Sequence, residues 1–475
     1  MPVSATYQPA RDHESLGPAL FDPVQPARFP RHVLRFRNQR HAERVGLGAL
    51  TPAEWEAHFA RFEPLPGSLQ QPLALRYHGY QFRSYNPNLG DGRGFLHAQL
   101  RDPVDGRLLD LATKGSGQTP WSRGGDGRLT LKGGVREILA TELLEARGVN
   151  TSKTFSLFET GEQLIRGDEP SPTRSSVLVR LGHSHIRFGT FERLAWQRDA
   201  ESAQRLVRFC LERYYPEVPP DERPEAARLL ANVALRSADL AASWMAAGFV
   251  HGVLNTDNMN IAGESFDYGP WRFLPTFDLG FTAAYFDHSG LYAFGRQPDA
   301  VLWNLERLAE ALAPLAPEAE LAQAIDGYAP AFEAALHRRV LGRLGLRPRG
   351  GDEDGLLVRA LFTWMHEQQA DYDQAFHDWY GGAASAGRAA RSPQRELHRG
   401  DAFERFRRWL DTYEATHPER LSHTLMQRER PESLLIDEVE ALWEPIAAAD
   451  DWAPLEAKVA AIREAGALMG QGPGA

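Results

Sequence analysis

Two neighbouring segments carry aspartate and asparagine in an order that suits transfer of a phosphate group. Asp257 and Asn258 follow a glycine-flanked apolar run, and Asp267 comes nine residues later within Phe-Asp-Tyr-Gly. An aspartate can orient or deprotonate an acceptor hydroxyl, while asparagine and aspartate oxygens suit Mg²⁺. The order predicts Asp257 as the proton acceptor, with Asn258 and Asp267 as metal ligands. A second Asp-x-Gly at Asp278 is a rival metal ligand, with a structural turn as its simpler interpretation.

A glycine-rich loop, a lysine and a glutamate precede these acids. The loop offers Gly90, Gly92 and Arg93; Lys114 ends the next predicted strand, and Glu137 lies near the start of a predicted helix. Glycines let backbone N–H groups approach phosphate oxygens, and a lysine can contact them as a point charge. This order is that of a protein-kinase small lobe. The alternatives are an ordinary Gly-Asp-Gly turn and a solvated lysine.

The kinase pattern is incomplete. No His-Arg-Asp is present, because His251 is followed by Gly252. Asp257 and Asn258 are adjacent, whereas protein kinases separate the corresponding residues. The geometry of base and metal must therefore differ, and the identity of the transferred group stays open.

The elements that would position these residues divide the chain into a β-rich part and a helical part, an α+β class. The predicted division is an N-terminal arm and helix (1–70), a β-rich small lobe (71–190), a helical large lobe (191–380) and a C-terminal helical extension (381–475). Predicted strands cover 95–100, 108–112, 154–158 and 176–181. One predicted helix begins at the Thr51 N-cap. The other predicted helices cover 134–147, 191–214, 222–247, 299–313, 317–343, 353–380, 401–415 and 434–466. Residues 381–400 are predicted to be an exposed loop.

Composition narrows the class of protein. The net charge of −10 over 475 residues argues against a general nucleic-acid binder, which needs excess cations. No apolar run is long enough to span a membrane and the N-terminus lacks a signal-peptide pattern, so we expect a cytoplasmic protein. The single cysteine, Cys210, excludes an intramolecular disulfide and is expected in the core.

Long motifs of the chain resemble the selenoprotein-O family, also called YdiU. The longest is Lys-Gly-Ser-Gly-Gln-Thr-Pro-Trp-Ser-Arg-Gly-Gly-Asp-Gly-Arg at 114–128, together with Val-Arg-Glu-Ile-Leu at 135–139. Further matches lie at 89–93, 184–192, 251–258, 267–270, 292–294 and 297–298. The motifs keep their order across roughly residues 15–300, whereas the C-terminal third is less similar.

This resemblance implies a protein-kinase-like bilobal fold and transfer of AMP from ATP to Ser, Thr or Tyr hydroxyls of proteins. ATP would be flipped relative to kinases, with Mg²⁺ or Mn²⁺ as the cofactor. Asp257 would accept the proton, Asn258 and Asp267 would hold the metal, and Glu137 would pair with Lys114. The implied ATP contacts are Gly90, Gly92, Arg93, Lys114, Asp126, Gly127, Arg180, Arg187 and Asp267.

Two departures from the family pattern stand out. Gly-Tyr-Gln-Phe-Arg at 79–83 replaces the usual Gly-His-Gln-Phe-Gly, which removes a histidine and a glycine near the nucleotide. The C-terminus carries neither selenocysteine nor cysteine, so no thiol switch is expected there. Two other functions remain open on sequence alone: ordinary γ-phosphoryl transfer, and a non-catalytic ATP-binding scaffold.

Overall fold

The computed structural model describes residues 4–167 and 169–471. Most strands lie in the first part of the chain, and most helices follow. The strands are β1 (Pro9–Ala10), β2 (Phe21–Pro23), β3 (Val33–Arg37), β4 (Leu73–Leu75), β5 (Gly79–Gln81), β6 (Ser84–Asn86), β7 (Leu96–Arg101), β8 (Leu108–Lys114), β9 (Leu129–Thr130), β10 (Lys153–Leu164), β11 (Thr173–Gly182), β12 (Phe249–His251) and β13 (Trp271–Phe273).

A large antiparallel sheet has the strand order β2-β4-β7-β8-β11-β10-β3. The predicted hairpin is confirmed as β7 and β8, and β10 and β11 extend beyond the predicted strands. The N-terminal strands β2 and β3 form the two ends of this order, so the predicted arm contributes directly to the sheet. Arg180 on β11 pairs with Ala112 on β8, two residues before Lys114. Because side chains alternate along strands, Lys114 and Arg180 share one face.

The helices are α1 (Gln39–Arg44), α2 (Pro52–Phe59), α3 (Leu131–Ala146), α4 (Phe188–Gln197), α5 (Ala200–Tyr214), α6 (Glu225–Ala247), α7 (Gln297–Leu312), α8 (Glu318–Asp326), α9 (Tyr328–Arg343), α10 (Asp352–Gln368), α11 (Tyr372–Asp378), α12 (Ala386–Ala389), α13 (Gly400–Leu410), α14 (Thr424–Gln427), α15 (Ile436–Ala449) and α16 (Ala453–Leu468). None of those in the described part of the chain is long and apolar enough to cross a membrane.

Helix α3 packs on the sheet and carries Glu137 into the interior. It begins three residues before the predicted start because the Thr130 hydroxyl caps it, accepting from Gly133 N. Helix α2 begins as predicted, with Thr51 and Glu54 forming a capping box.

Several long predicted helices are broken in two. Residues 191–214, 353–380 and 434–466 are interrupted where Arg198, Gln369 and Asp450 adopt the left-handed conformation that ends a helix. Residues 317–343 form two helices separated at Gly327. The exposed-loop prediction for 381–400 is wrong in part, since this segment contains α12 and buries residues such as Ser385 and Ser392. Cys210 is fully buried, as expected.

Candidate active site

Lys114 lies at the centre of a buried ion cluster at the end of β8. Its Nζ donates to Glu137 Oε1 at 2.6 Å and to Asp267 Oδ1 at 2.9 Å. The Lys114 and Glu137 side chains are nearly inaccessible to solvent. Glu137 therefore fixes the lysine ammonium from the helix side, while Asp267 contacts it from the loop after β12.

Asp267 contacts three cationic side chains. Besides Lys114, Arg187 Nη1 lies 3.1 Å from Oδ2, and Arg180 Nη1 lies 3.4 Å from Oδ1. Burial alone would raise the pKa of Asp267, but the neighbouring cations hold it well below its ordinary value. Asp267 also has a left-handed backbone, with φ of 61°. A non-glycine residue in this conformation is strained, which is common at functional sites.

Asp257 lies in a short 3₁₀ turn, Thr256–Asn258, that follows β12. Its side chain is buried, and Oδ1 has no hydrogen-bond partner among the described residues. Burial raises the pKa of Asp257 to about 6, although Arg187 opposes this shift. The carboxylate is also closely packed, because a Cβ at position 79 would lie 2.9 Å from both its Cβ and Oδ1. Gly79 is therefore required beside this aspartate.

Asn258 and Asp267 supply oxygen atoms that suit a divalent metal. The Asn258 Nδ2 donates to Val253 O at 2.9 Å, which orients the amide and leaves its oxygen for a cation. Both residues line one cleft of about 410 Å³, together with Arg93, Lys114 and Asp257. A carboxylate and an amide oxygen form the hard donor set that Mg²⁺ and Mn²⁺ accept. The residues present therefore fit such an ion.

The glycine loop adjoins this cleft, and its glycines are required by close packing against Trp121. A side chain at Gly90 would collide with the Trp121 ring, and a Cβ at Gly92 would lie 2.8 Å from Trp121 O. Arg93 is exposed, and its carbonyl accepts from Gly115 N at 2.6 Å, which joins the loop to the end of β8.

Of the nine predicted ATP contacts, only Arg93, Lys114 and Asp267 line the cleft; the other six do not, namely Gly90, Gly92, Asp126, Gly127, Arg180 and Arg187. Asp126 is exposed and pairs with Arg166 at 2.7 Å, while Gly127 packs against the backbone of Gly117. Neither lines the cleft that contains the acids. The rival Asp278 is also exposed and accepts from Gly280 N at 2.8 Å, as expected for a turn.

Sequence reasoning missed the residues that fix the loop carrying Asp257. Tyr80 N donates to Thr256 Oγ1 at 2.8 Å, and Thr256 Oγ1 donates to the buried Glu192 Oε2 at 2.9 Å. Burial raises the pKa of Glu192 to about 8. Phe82 N donates to Asn255 Oδ1 at 3.1 Å. These polar residues do not recur at a helix or strand spacing that would mark them in the sequence. Glu192 is, however, the last residue of the motif at 184–192.

The altered segment 79–83 forms part of the β5–β6 hairpin that makes these contacts. Phe82 and Arg83 form its turn, both with positive φ, so Arg83 adopts the conformation for which a glycine is usual. The Arg83 guanidinium lies 5.4 Å from the centre of the Trp303 ring, a cation–π contact that offsets part of the strain. The substitution therefore retains the turn and its hydrogen bonds to the loop that carries Asp257.

Comparisons with known proteins identify the family of this chain. The family model for "Protein adenylyltransferase SelO" matches residues 3–463. A protein from Synechocystis sp., named protein nucleotidyltransferase YdiU, is 45% identical over 470 residues, covering 95% of this chain and 96% of the relative. Relatives of the same name from Synechococcus elongatus and Gloeobacter violaceus are each 44% identical, covering 96% of this chain and 94% and 95% of their own. The chain therefore belongs to the protein adenylyltransferase SelO family.

Proposed function

We propose that this protein transfers AMP from ATP to Ser, Thr or Tyr hydroxyls of other proteins, with Mg²⁺ or Mn²⁺ as cofactor. The observation that carries the proposal is the meeting of Asp257, Asn258 and Asp267 in one cleft beside Lys114. Within it, the buried Asp257 Oδ1 has no partner among the described residues. Asp257 also lines the cleft, so its carboxylate can accept from a hydroxyl that is delivered there.

In the proposed reaction, the acceptor oxygen attacks the α-phosphorus of ATP and the bond to pyrophosphate breaks. The hydroxyl proton passes to the Asp257 carboxylate, whose raised pKa suits a proton acceptor near neutral pH. A transition state of this kind needs little early proton removal, so orientation of the hydroxyl is part of the same role. Asn258 and Asp267 would hold the metal ion, which when bound neutralises charge on phosphate oxygens.

We propose a kinase-like arrangement of the sheet and the helical part, with a boundary near residue 190 and another near 380. ATP would lie between them, flipped relative to a kinase. Its outer phosphates would then approach Lys114, Arg180 and Arg187, which already converge on Asp267. A triphosphate requires more positive charge than one lysine supplies, and arginine binds phosphate in a bidentate manner. Gly90, Gly92, Arg93, Asp126 and Gly127 stay proposed ATP contacts.

A paired labelling experiment tests this function. The protein is incubated with Mg²⁺, a bacterial lysate and ATP labelled at either the α- or the γ-phosphate. We expect protein label from the α-position only, lost in Asp257→Ala and retained in the exposed control Asp278→Ala. Label from the γ-position would instead indicate an ordinary kinase. ATP binding without label from either position would indicate a scaffold.

A further inference from the structure

Three aromatic side chains form an exposed cluster at the mouth of the cleft. Phe82, Tyr285 and Phe286 have exposed fractions of 37%, 82% and 42%. The ring centres of Phe82 and Phe286 lie 5.9 Å apart, and those of Tyr285 and Phe286 lie 5.1 Å apart. We call these three residues the aromatic rim. Contiguous exposed apolar surface is uncommon on soluble proteins and often marks an interaction site.

The aromatic rim is continuous with the site. Phe82 and Phe286 line the same cleft as Asp257 and Asn258. Any chain that delivers a hydroxyl to Asp257 therefore passes beside these rings.

The rim is also fixed to the catalytic loop. Asn255, two residues before Asp257, accepts from Phe82 N at 3.1 Å and from the Tyr292 hydroxyl at 2.7 Å. The Tyr292 ring packs against Phe82 at 5.1 Å between ring centres. Asp287 holds the loop that carries Tyr285 and Phe286, since its carboxylate accepts from Leu291 N and Tyr292 N. One buried amide thus sets the distance between the rim and the acid.

The residues that line the cleft are of two chemical kinds. Arg93 and Lys114 supply positive charge, whereas Phe82, Val253, Pro270 and Phe286 supply apolar surface. An anionic triphosphate favours the cationic residues. The apolar lining residues and the rim suit an apolar side chain of the second substrate.

We propose that the aromatic rim binds the acceptor segment of the protein substrate through a Leu, Met or Phe side chain close in sequence to the modified hydroxyl. The proposal rests on the proposed function. Two or three residues of extended chain span about 7–10 Å, which suits a side chain and a hydroxyl held in one cleft. The rim therefore selects hydroxyls in locally apolar, extended segments.

Peptide binding tests this selection independently of transfer. The probes are fluorescein-labelled nonapeptides of Gly and Asn with one central Ser, carrying a single Leu at each position from three before to three after it, and a parent without Leu. Dissociation constants are measured by anisotropy with Mg²⁺ and saturating α,β-methylene ATP. We expect at least one Leu peptide to bind about tenfold more tightly than the parent, as for one buried anchor residue.

The variants are Phe286→Ser, Tyr285→Ser and Phe82→Asn, the last because asparagine tolerates the left-handed turn. Each should remove most of the Leu preference while leaving the affinity for α,β-methylene ATP unchanged. Ile165→Ser is the matched control, since Ile165 is a 75% exposed apolar residue that does not line the cleft. It should keep the full preference.

Four results would overturn the inference: no Leu preference in the wild-type protein, the same preference in the rim variants, weaker nucleotide binding in those variants, or rim-dependent self-association by light scattering. The last two would assign the rim to adenine stacking or to a second copy of the chain. If the wild-type protein shows the rim-dependent Leu preference but transfers no AMP, only the proposed function is refuted.

Discussion

Asp267, which is partly exposed, and Asp373, which is buried, are two carboxylates that each contact several cationic side chains. Asp373, on α11, accepts from Arg147 at 2.7 Å and from Arg343 at 2.5 Å. These arginines also donate to the carbonyls of Ala247 and Ala246, at the C-terminal end of α6. This cluster therefore satisfies its own charges and caps a helix, where cations are favourable.

The Asp373 cluster lines a cavity of about 510 Å³, larger than the cleft of about 410 Å³ around Asp267. Neither the cavity volume nor the convergence of cations on an aspartate therefore distinguishes the two regions. The partners of the acids do: Asp373 is matched by two arginines, whereas the Asp267 cleft also contains Asn258 and Asp257, and burial raises the pKa of Asp257. The comparison assigns chemistry to the Asp267 region and stability to the Asp373 region.

The largest predicted difference is in activity. We expect Asp267→Asn to reduce AMP transfer by about a thousandfold or more, because it removes the carboxylate that is proposed to bind the metal and that balances three cations. Asp373→Asn should retain transfer within about threefold at a temperature where it is folded. Initial rates with α-labelled ATP measure both. Equal losses in two folded variants would contradict the division between the regions.

The Asp257→Asn variant tests the proposed proton acceptor separately from the proposed metal ligands. We expect transfer to fall by about 10²–10⁴-fold, the range for loss of a general base. The folded state should not be destabilised, since the variant replaces a buried carboxylate that lacks a partner at Oδ1. Thermal unfolding and initial rates are measured together, with Asp278→Asn as the exposed control. A marked fall in unfolding temperature would instead give Asp257 a structural role.

The sequence predicted the elements near the site because their local signals agree with their packing. The β7–β8 hairpin has a turn between two apolar runs, and α3 has apolar residues at helical spacing. Lys114, Glu137, Asp257 and Asp267 were identified by order along the chain. Strand register adds Arg180 to this group, because it places Arg180 on the same face as Lys114.

The parts that sequence did not reveal depend on tertiary contacts. Left-handed residues such as Arg198 and Asp450 interrupt apolar patterns that continue across them. The links from Glu192 and Asn255 to the β5–β6 hairpin join residues far apart in the chain. No local pattern distinguishes such polar residues from surface ones.

The Asp373 region should show its role in stability. We expect Arg147→Met to lower the free energy of unfolding by about 3 kcal/mol, because breaking a buried ion pair leaves Asp373 short of a partner. Urea unfolding measures the change, with the exposed pair member Arg223→Met as a control that should unfold like wild type. A neutral result for Arg147→Met would mean that Arg343 alone satisfies Asp373.

The smallest predicted effect is the change of folding stability with pH, which has opposite signs for Glu192 and Asp373. Burial raises the pKa of Glu192 to about 8, and its Oε1 has no partner among the described residues, so the folded state favours the protonated form. Glu192 therefore weakens stability progressively as pH rises from about 5 to about 8. Burial alone would raise the pKa of Asp373, but its two arginines lower that pKa below the ordinary value. The ionised Asp373 therefore stabilises the folded state above about pH 4, and this stabilisation is lost in acid.

Glu192→Gln should consequently gain a few degrees in unfolding temperature over wild type at pH 8.5 and little at pH 5.5. Asp373→Asn should lose stability at both values, because its carboxylate is ionised in the folded protein throughout that range. Differential scanning calorimetry at the two pH values measures both variants. An advantage of Glu192→Gln that does not grow with pH would show that Glu192 is ionised in the folded protein. The Glu192–Thr256 contact would then be an ionic anchor of the catalytic loop, and the site would resemble the Asp373 region more closely than its unpartnered atoms indicate.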